Sequence, residues 1–308
     1  MKSKPLISIG MPVFNGGKHL KEAITTTLKQ TYSNFELIIS DDNSTDNSSK
    51  IISNYSKKES RIKFFKQKQN IGSIANFNFV LSKARGEFFT WFAQDDIHDK
   101  DFLFKLQANI KKTKSVLAMS DYRNFKDNKF YKIYNTPKFL NGDSNKSLSY
   151  FFNTVNLSFF YGLYKTRVLK KIGGYHTDFR WYFQSSDFLT IIKTLLKGKF
   201  VFIDEVLFFK RDTGLYTNQF ENIKNLPFST VSKYALRYFL FPIHFIFDMI
   251  LGSWYLLSSS KLKFINRLVL VFLLFKCTLK RFYDFLLNIF KGAFAFSIRI
   301  LKYLKIKK

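Results

Sequence analysis

The chain has 308 residues, a formal net charge of +28, 46% hydrophobic residues and one cysteine. A single cysteine excludes an internal disulfide framework, and so large an excess of Lys and Arg requires a polyanionic neighbour or an explanation. About 230 residues suffice to bury a sizeable core, and no internal repeat divides them.

Leu6 to Val13 reads as an apolar strand broken by Pro12, and Asn15-Gly16-Gly17 turns into a helix from Lys18 to Gln30. Phe35 to Ser40 is a second strand, followed by Ser44 or Thr45 as the N-cap of a helix reaching about Tyr55. Ile62 to Lys66 is a third strand, Ser73 to Ala84 a helix with apolar residues at spacing three and four, and Glu87 to Ala93 a fourth strand. This β-α-β-α order implies an α/β fold with a mostly parallel sheet flanked by helices.

Two acidic clusters close strands of that sheet: Asp41, Asp42 and Asp46 after the second, Asp95 and Asp96 after the fourth. Ligands of open α/β sheets bind beyond the carboxyl ends of the strands, so parallel strands put both clusters on one rim. Carboxylates gathered there repel one another, and a divalent cation, sugar hydroxyls or the donor groups of a nucleobase offset that repulsion. A capped turn explains the first cluster alone. Asp95 and Asp96 have a competing reading as caps of a helix starting near Asp99 or Lys100. Asn15-Gly16-Gly17-Lys18 lacks the full phosphate-loop pattern and no G-x-G-x-x-G follows a strand, which sets aside ATPase and dehydrogenase functions.

The stretch PLISIGMPVFNGGKHLKEAITTTLKQTYSNFELIISDDNSTDNS, continued by NIGSIANFNFVLSKARGEFFTWFAQDD, resembles the start of a family 2 glycosyltransferase. The resemblance is strong over residues 5 to 110 and weaker to about 215. It implies the GT-A fold, a nucleotide diphosphate sugar donor and a glycan or lipid-linked acceptor. Carried over residue by residue, it implies that Pro12, Phe14 and Asp42 hold the nucleotide. An Asp carboxylate accepts a hydrogen bond from a uracil or guanine ring N–H, in agreement with that role. The family's D-x-D motif corresponds to Gln94-Asp95-Asp96, with Gln94 in place of the first acid. Asp96 is then the ligand of Mg²⁺ or Mn²⁺ on the diphosphate, and Asp95 a donor-sugar or supporting group.

Inversion needs a base for the acceptor hydroxyl. RWYFQSSDFLTIIKTLLKG resembles the family's later acid motif and implies Asp187 in that role, while Ser185, Ser186 and Asp187 also read as a helix start. Trp181 and Tyr182 read as an acceptor wall or as core. In FFKRDTG, Arg211 takes the place of a diphosphate contact and Asp212 of a metal-binding His; a solvated turn explains that stretch equally well. His19, His98, His176 and His244 show no ligand spacing and read as surface or packing residues.

The composition divides the chain into a catalytic domain, 1–228, and a basic, aromatic-rich helical region, 229–308. With Ala295 bridging the gap, Lys276, Lys280, Asp284, Asn288, Lys291, Arg299 and Lys302 draw one polar stripe down an otherwise apolar helix, which suits an anionic membrane surface; a helix packed on the catalytic domain is the competing reading. Tyr238 to Ser260 is interrupted by Pro242, His244 and Asp248, so a shallow insertion is favoured over a hairpin of two spans. MKSKPLISIG does not read as a signal peptide, and the expected location is the cytoplasmic face of a bacterial inner membrane. A nucleotidyltransferase making an activated sugar and a basic nucleic-acid-binding protein are the alternatives. The first lacks its Gly-rich basic signature, and the second lacks a recognition motif, so no nucleic-acid partner is expected.

Overall fold

The computed structural model describes residues 6–127, 129–135, 144–154, 156–175 and 186–212, then 250, 253–258, 264, 267–276, 278–280 and 283. Two compact units divide the chain, Met1–Thr213 and Gly214–Lys308.

In the first unit β1 (Ile7–Val13), β2 (Phe35–Asp41), β3 (Ile62–Lys66) and β4 (Phe88–Trp91) alternate with α1 (Leu20–Leu28), α2 (Ser48–Ser56) and α3 (Ser73–Lys83). There follow β5 (Ile97–His98), α4 (Phe102–Thr113), β6 (Leu117–Lys126), β7 (Lys129–Tyr134) and α5 (Ser144–Thr154). A 3-10 turn (Leu157–Tyr161), β8 (Leu163–Lys165), α6 (Thr166–Lys171), α7 (Ser186–Leu195) and β9 (Phe200–Arg211) complete the order.

Every residue of β1 and β2 is buried, which is why their apolar runs are continuous rather than alternating. Helix α3 lies close on β1: a Cβ on Gly10 would sit 2.6 Å from Val80 Cγ2 and 2.7 Å from Phe89 Cζ. Beside it the Trp91 and Phe160 rings stack at 4.4 Å, and the indole N–H of Trp91 donates to the Phe77 carbonyl at 3.1 Å. At the amino edge of the sheet the buried Glu36 carboxylate accepts from the Ser8 hydroxyl at 2.7 Å, the Arg85 N–H at 3.0 Å and the Arg85 guanidinium at 2.7 Å.

The strand order is β3-β2-β1-β4-β8-β6-β9-β5, with β7 beside β6. From β3 to β4 all pairings are parallel, as the β-α-β-α order implies. Beyond β4 the sheet is mixed: β8 runs antiparallel to both β4 and β6, and β6 runs parallel to β9. Two reversals across β8 return β6 and β9 to the direction of β1. The carboxyl ends of β1, β2, β4, β6 and β9 therefore share one edge.

Two local expectations change. The N-cap of α2 is Asn47, not Ser44 or Thr45, because those two residues hold neighbouring loops instead. The N-cap of α4 is Asp101, with β5 intervening, so Asp95 and Asp96 do not cap that helix.

In the second unit the described helical residues bury Leu270, Leu274 and Thr278 and expose Leu268, Val269, Phe272, Phe275, Leu279, Lys276 and Lys280. No described helix is long and apolar enough to cross a membrane. Of the polar stripe only Lys276 and Lys280, and of the Tyr238–Ser260 stretch only 250 and 253–258, are described; the rest lies outside the described residues.

Candidate active site

The turn after β1 is held from two sides. On one side the Gln94 side chain takes both main-chain groups of Phe14: Oε1 accepts its N–H at 2.9 Å and Nε2 donates to its carbonyl at 3.1 Å. On the other, Ser44 Oγ, Ser48 Oγ and Asp46 Oδ2 accept the N–H groups of Asn15, Gly16 and Gly17, each at 2.9 Å. Asn15 adopts a left-handed φ of 49°, and its side-chain Oδ1 accepts from Thr45 N at 2.9 Å. The Asn-Ser-Thr-Asp run is thus chiefly a cradle for the β1–α1 turn. Burial raises the affinity of Asp46 for its proton, but the donors from Ser48 and Gly17 prevail and hold it below the usual carboxylate range. Pro12 lies within β1, paired in register with Ser40, while the Phe14 ring stands 46% exposed at the rim.

Asp41 and Asp42 are both buried but serve different neighbours. The Asp41 carboxylate accepts from the Ser44 N–H at 3.1 Å and from the hydroxyls of Ser44 and Ser49, which ties β2 to the start of α2. Asp42 turns to the β3–α3 loop, accepting from Ile71 N at 2.7 Å and Gly72 N at 3.0 Å. A carboxylate offers about four lone-pair sites, so Asp42 retains acceptor capacity after both bonds.

Asp96 is buried, and its Oδ1 accepts the main-chain N–H of Arg211 at 2.8 Å. Burial first, and the charge of Asp95 second, raise its affinity for a proton, and burial raises that of Asp95 too. Such a pair suits a divalent cation, whose charge offsets both causes. Among the described residues no group of three or more His, Cys, Asp or Glu converges as a metal cage. A cation held by this pair would have to take most of its shell from phosphate oxygens and water.

Arg211 binds this segment together. Its Nε donates to the Asp95 carbonyl at 2.9 Å, its Nη2 pairs with Glu22 of α1, and its guanidinium lies 4.2 Å from the Phe125 ring centroid. Asp212 follows, its N–H on the Phe125 carbonyl at 2.8 Å and its carboxylate accepting from the Tyr131 hydroxyl at 3.1 Å. His98 is a packing residue: its ring stacks on Phe92 at 3.4 Å, and burial lowers its pKa to about 3, which keeps it neutral.

Asp187 is half-buried in the first turn of α7, where its carboxylate accepts from Phe188 N at 2.8 Å. It lies close enough to Tyr164 for its charge to add to the burial that raises the Tyr164 pKa. Trp181, Tyr182 and His176 lie outside the described residues. Glu22 and Asn76 had no part in the sequence reading. Asn76 is buried with Nδ2 donating to the Ser40 carbonyl at 3.0 Å, and a polar residue on the apolar face of α3 is the signal that marks it.

A family model described as glycosyl transferase family 2 matches residues 8–186, more than half of the chain. Glycosyltransferase GlyG of Streptococcus pneumoniae is 34% identical over 128 residues, covering 41% of this chain and 42% of that protein. The chain thus spans less than half the length of this curated relative. Among solved structures, Staphylococcus aureus TarS residues 1–349 in complex with UDP-GlcNAc gives a TM-score of 0.65 at 19% identity, covering 86% of this chain and 70% of that one. The mannosyltransferase PcManGT of Pyrobaculum calidifontis, in complex with GDP-Man and Mn²⁺, gives 0.54 at 12% identity, covering 92% and 88%. At these identities the likeness shows the fold, which is GT-A.

Proposed function

This chain belongs to glycosyl transferase family 2, and we propose that it moves a sugar from a nucleoside diphosphate sugar to an acceptor hydroxyl with inversion at the anomeric carbon. The observation that carries the proposal is the gathering of the exposed Phe14 ring, the Asp42 carboxylate and the Asp95–Asp96 pair on one sheet edge, with Gln94 bonded across it. The similar folds named above are recorded with UDP-GlcNAc and with GDP-Man and Mn²⁺, which supports a nucleotide sugar as donor and a divalent cation as cofactor.

In this reading Pro12 and Phe14 form the wall against the base, and Asp42 accepts its ring N–H. Asp95 faces the donor sugar, and Arg211 holds the acidic segment in place. Asp96, with Asp212 at the same rim, would hold Mg²⁺ or Mn²⁺, which when bound supplies counter-charge to the leaving diphosphate. Asp187 takes the proton of the acceptor hydroxyl as its oxygen bonds to the anomeric carbon. The bond from that carbon to the diphosphate oxygen breaks, and the electron pair leaves with the nucleoside diphosphate.

The acceptor in this proposal is a lipid-linked or growing polysaccharide at the cytoplasmic face of a bacterial inner membrane. Support comes from the net charge of +28 and from the exposed Phe272 and Phe275 beside Lys276 and Lys280. Flotation with anionic liposomes tests it: a parent chain that does not float refutes the membrane role, and unchanged flotation of a Phe272→Ser/Phe275→Ser variant refutes the part given to these two residues. The transfer itself is tested by incubating the full chain with UDP-, GDP- and dTDP-sugars and Mn²⁺, Mg²⁺ or EDTA. The proposal is rejected if the chain neither binds any of these donors in calorimetry nor releases nucleoside diphosphate from any of them.

A further inference from the structure

Gln94 stands directly ahead of the Asp95–Asp96 pair, yet its carboxamide is spent on the backbone of Phe14, in the turn that follows β1. It accepts from Phe14 N at 2.9 Å and donates to Phe14 O at 3.1 Å. A carboxylate at this position accepts but cannot donate, and an apolar side chain does neither, so the paired contact is specific to an amide. The turn is shaped around it: a Cβ on Gly16 would lie 2.4 Å from Gln94 Oε1. Asn15, Gly16 and Gly17 have their N–H groups fixed from the β2–α2 side. Phe14 is thus the point where the clamp from the acidic segment meets the clamp from β2, and its ring is left exposed.

We infer that Gln94 is a positioning residue for the donor nucleotide. It fixes the Phe14 ring as a platform for the base and sets the spacing of that platform from Asp95 and Asp96, so that the site selects ligands with a base and a diphosphate at that separation. The inference rests on the donor-site reading above.

The test is a double-mutant cycle between Gln94 and Phe14, with UDP and Mg²⁺ titrated calorimetrically into the full chain. Gln94→Met keeps the side-chain length and removes both hydrogen bonds. Because the freed turn must be reordered when UDP binds, Gln94→Met is expected to weaken UDP binding roughly tenfold. Phe14→Ala weakens it as well, and the double variant is expected to bind within about twofold of Phe14→Ala alone. Inorganic pyrophosphate, which has no base, is expected to bind the parent and Gln94→Met alike; a general collapse of the site would weaken it too. If Gln94→Met fails to fold, Gly16→Ala disturbs the same carboxamide through the added Cβ and should show the same loss, again cancelled by Phe14→Ala. Losses that multiply in the double variant, or an equal loss of pyrophosphate binding, overturn the inference. A parent protein that binds pyrophosphate but gains nothing from the base of UDP overturns the donor-site reading itself.

Discussion

Replacing Asp42 by Asn tests the base end of the site and the loop that shapes it. The buried carboxylate accepts from Ile71 N at 2.7 Å and Gly72 N at 3.0 Å. In Asp42→Asn one oxygen becomes an NH₂ group facing a main-chain N–H. A charge-assisted bond worth about 1.5–3 kcal/mol is lost, and a donor is left against a donor. Because the β3–α3 loop can open locally, much of that cost should appear as loop mobility rather than global unfolding. A ligand that donates its ring N–H to Asp42 loses a second charge-assisted contact, which corresponds to roughly 10- to 150-fold in affinity. Titration calorimetry with UDP measures this, with pyrophosphate as the ligand that should be unaffected. A UDP affinity within about threefold of the parent would refute the assignment of Asp42 to the base.

Asp96→Asn should leave UDP binding without metal nearly unchanged and abolish its enhancement by Mn²⁺, since the leaving diphosphate loses its counter-charge partner; equal metal dependence in both proteins argues against Asp96. Asp187→Asn should reduce transfer by roughly 10²–10⁴-fold with donor affinity little changed, read from initial rates against donor titrations. At the opposite edge, burial opposes the charge of Glu36, but its bonds from Ser8 and Arg85 hold its pKa below the ordinary glutamate value. A depressed folded pKa means its stabilisation is present above the unfolded pKa and is lost as pH falls through the folded one. Glu36→Gln should therefore cost about 1–3 kcal/mol at neutral pH. Urea midpoints measured from pH 7 downward should converge for parent and variant; a constant gap excludes the carboxylate as the cause.

The first four strands and three helices were legible because β1, β2 and β4 are continuous apolar runs buried throughout, and β3, partly exposed at the sheet edge, is set off between two helices. The shared acidic rim followed from their parallel order. The reversal at β8 was not legible, because Leu163–Lys165 is three residues long and its pairing with β4 and β6 is entirely tertiary. The capping position is hidden for a related reason: the Ser44 and Thr45 hydroxyls suit an N-cap, but in the fold they donate to Asp41 Oδ1 and Asn15 Oδ1. In the sequence Asp41 and Asp42 are neighbours in a single acidic cluster. Only the backbone turn after β2 separates a carboxylate bonded to Ser44 and Ser49 from one bonded to the β3–α3 loop.

The most direct measurement is a crystal structure of the full chain with UDP and Mn²⁺, using the anomalous signal to locate the metal. Expected is manganese in direct contact with the Asp96 carboxylate and the diphosphate, with the base against the Phe14 ring and its N–H on Asp42. A nucleotide bound away from the edge shared by β1, β2 and β4, or manganese held without Asp96, would contradict the assignment of this edge as the donor site.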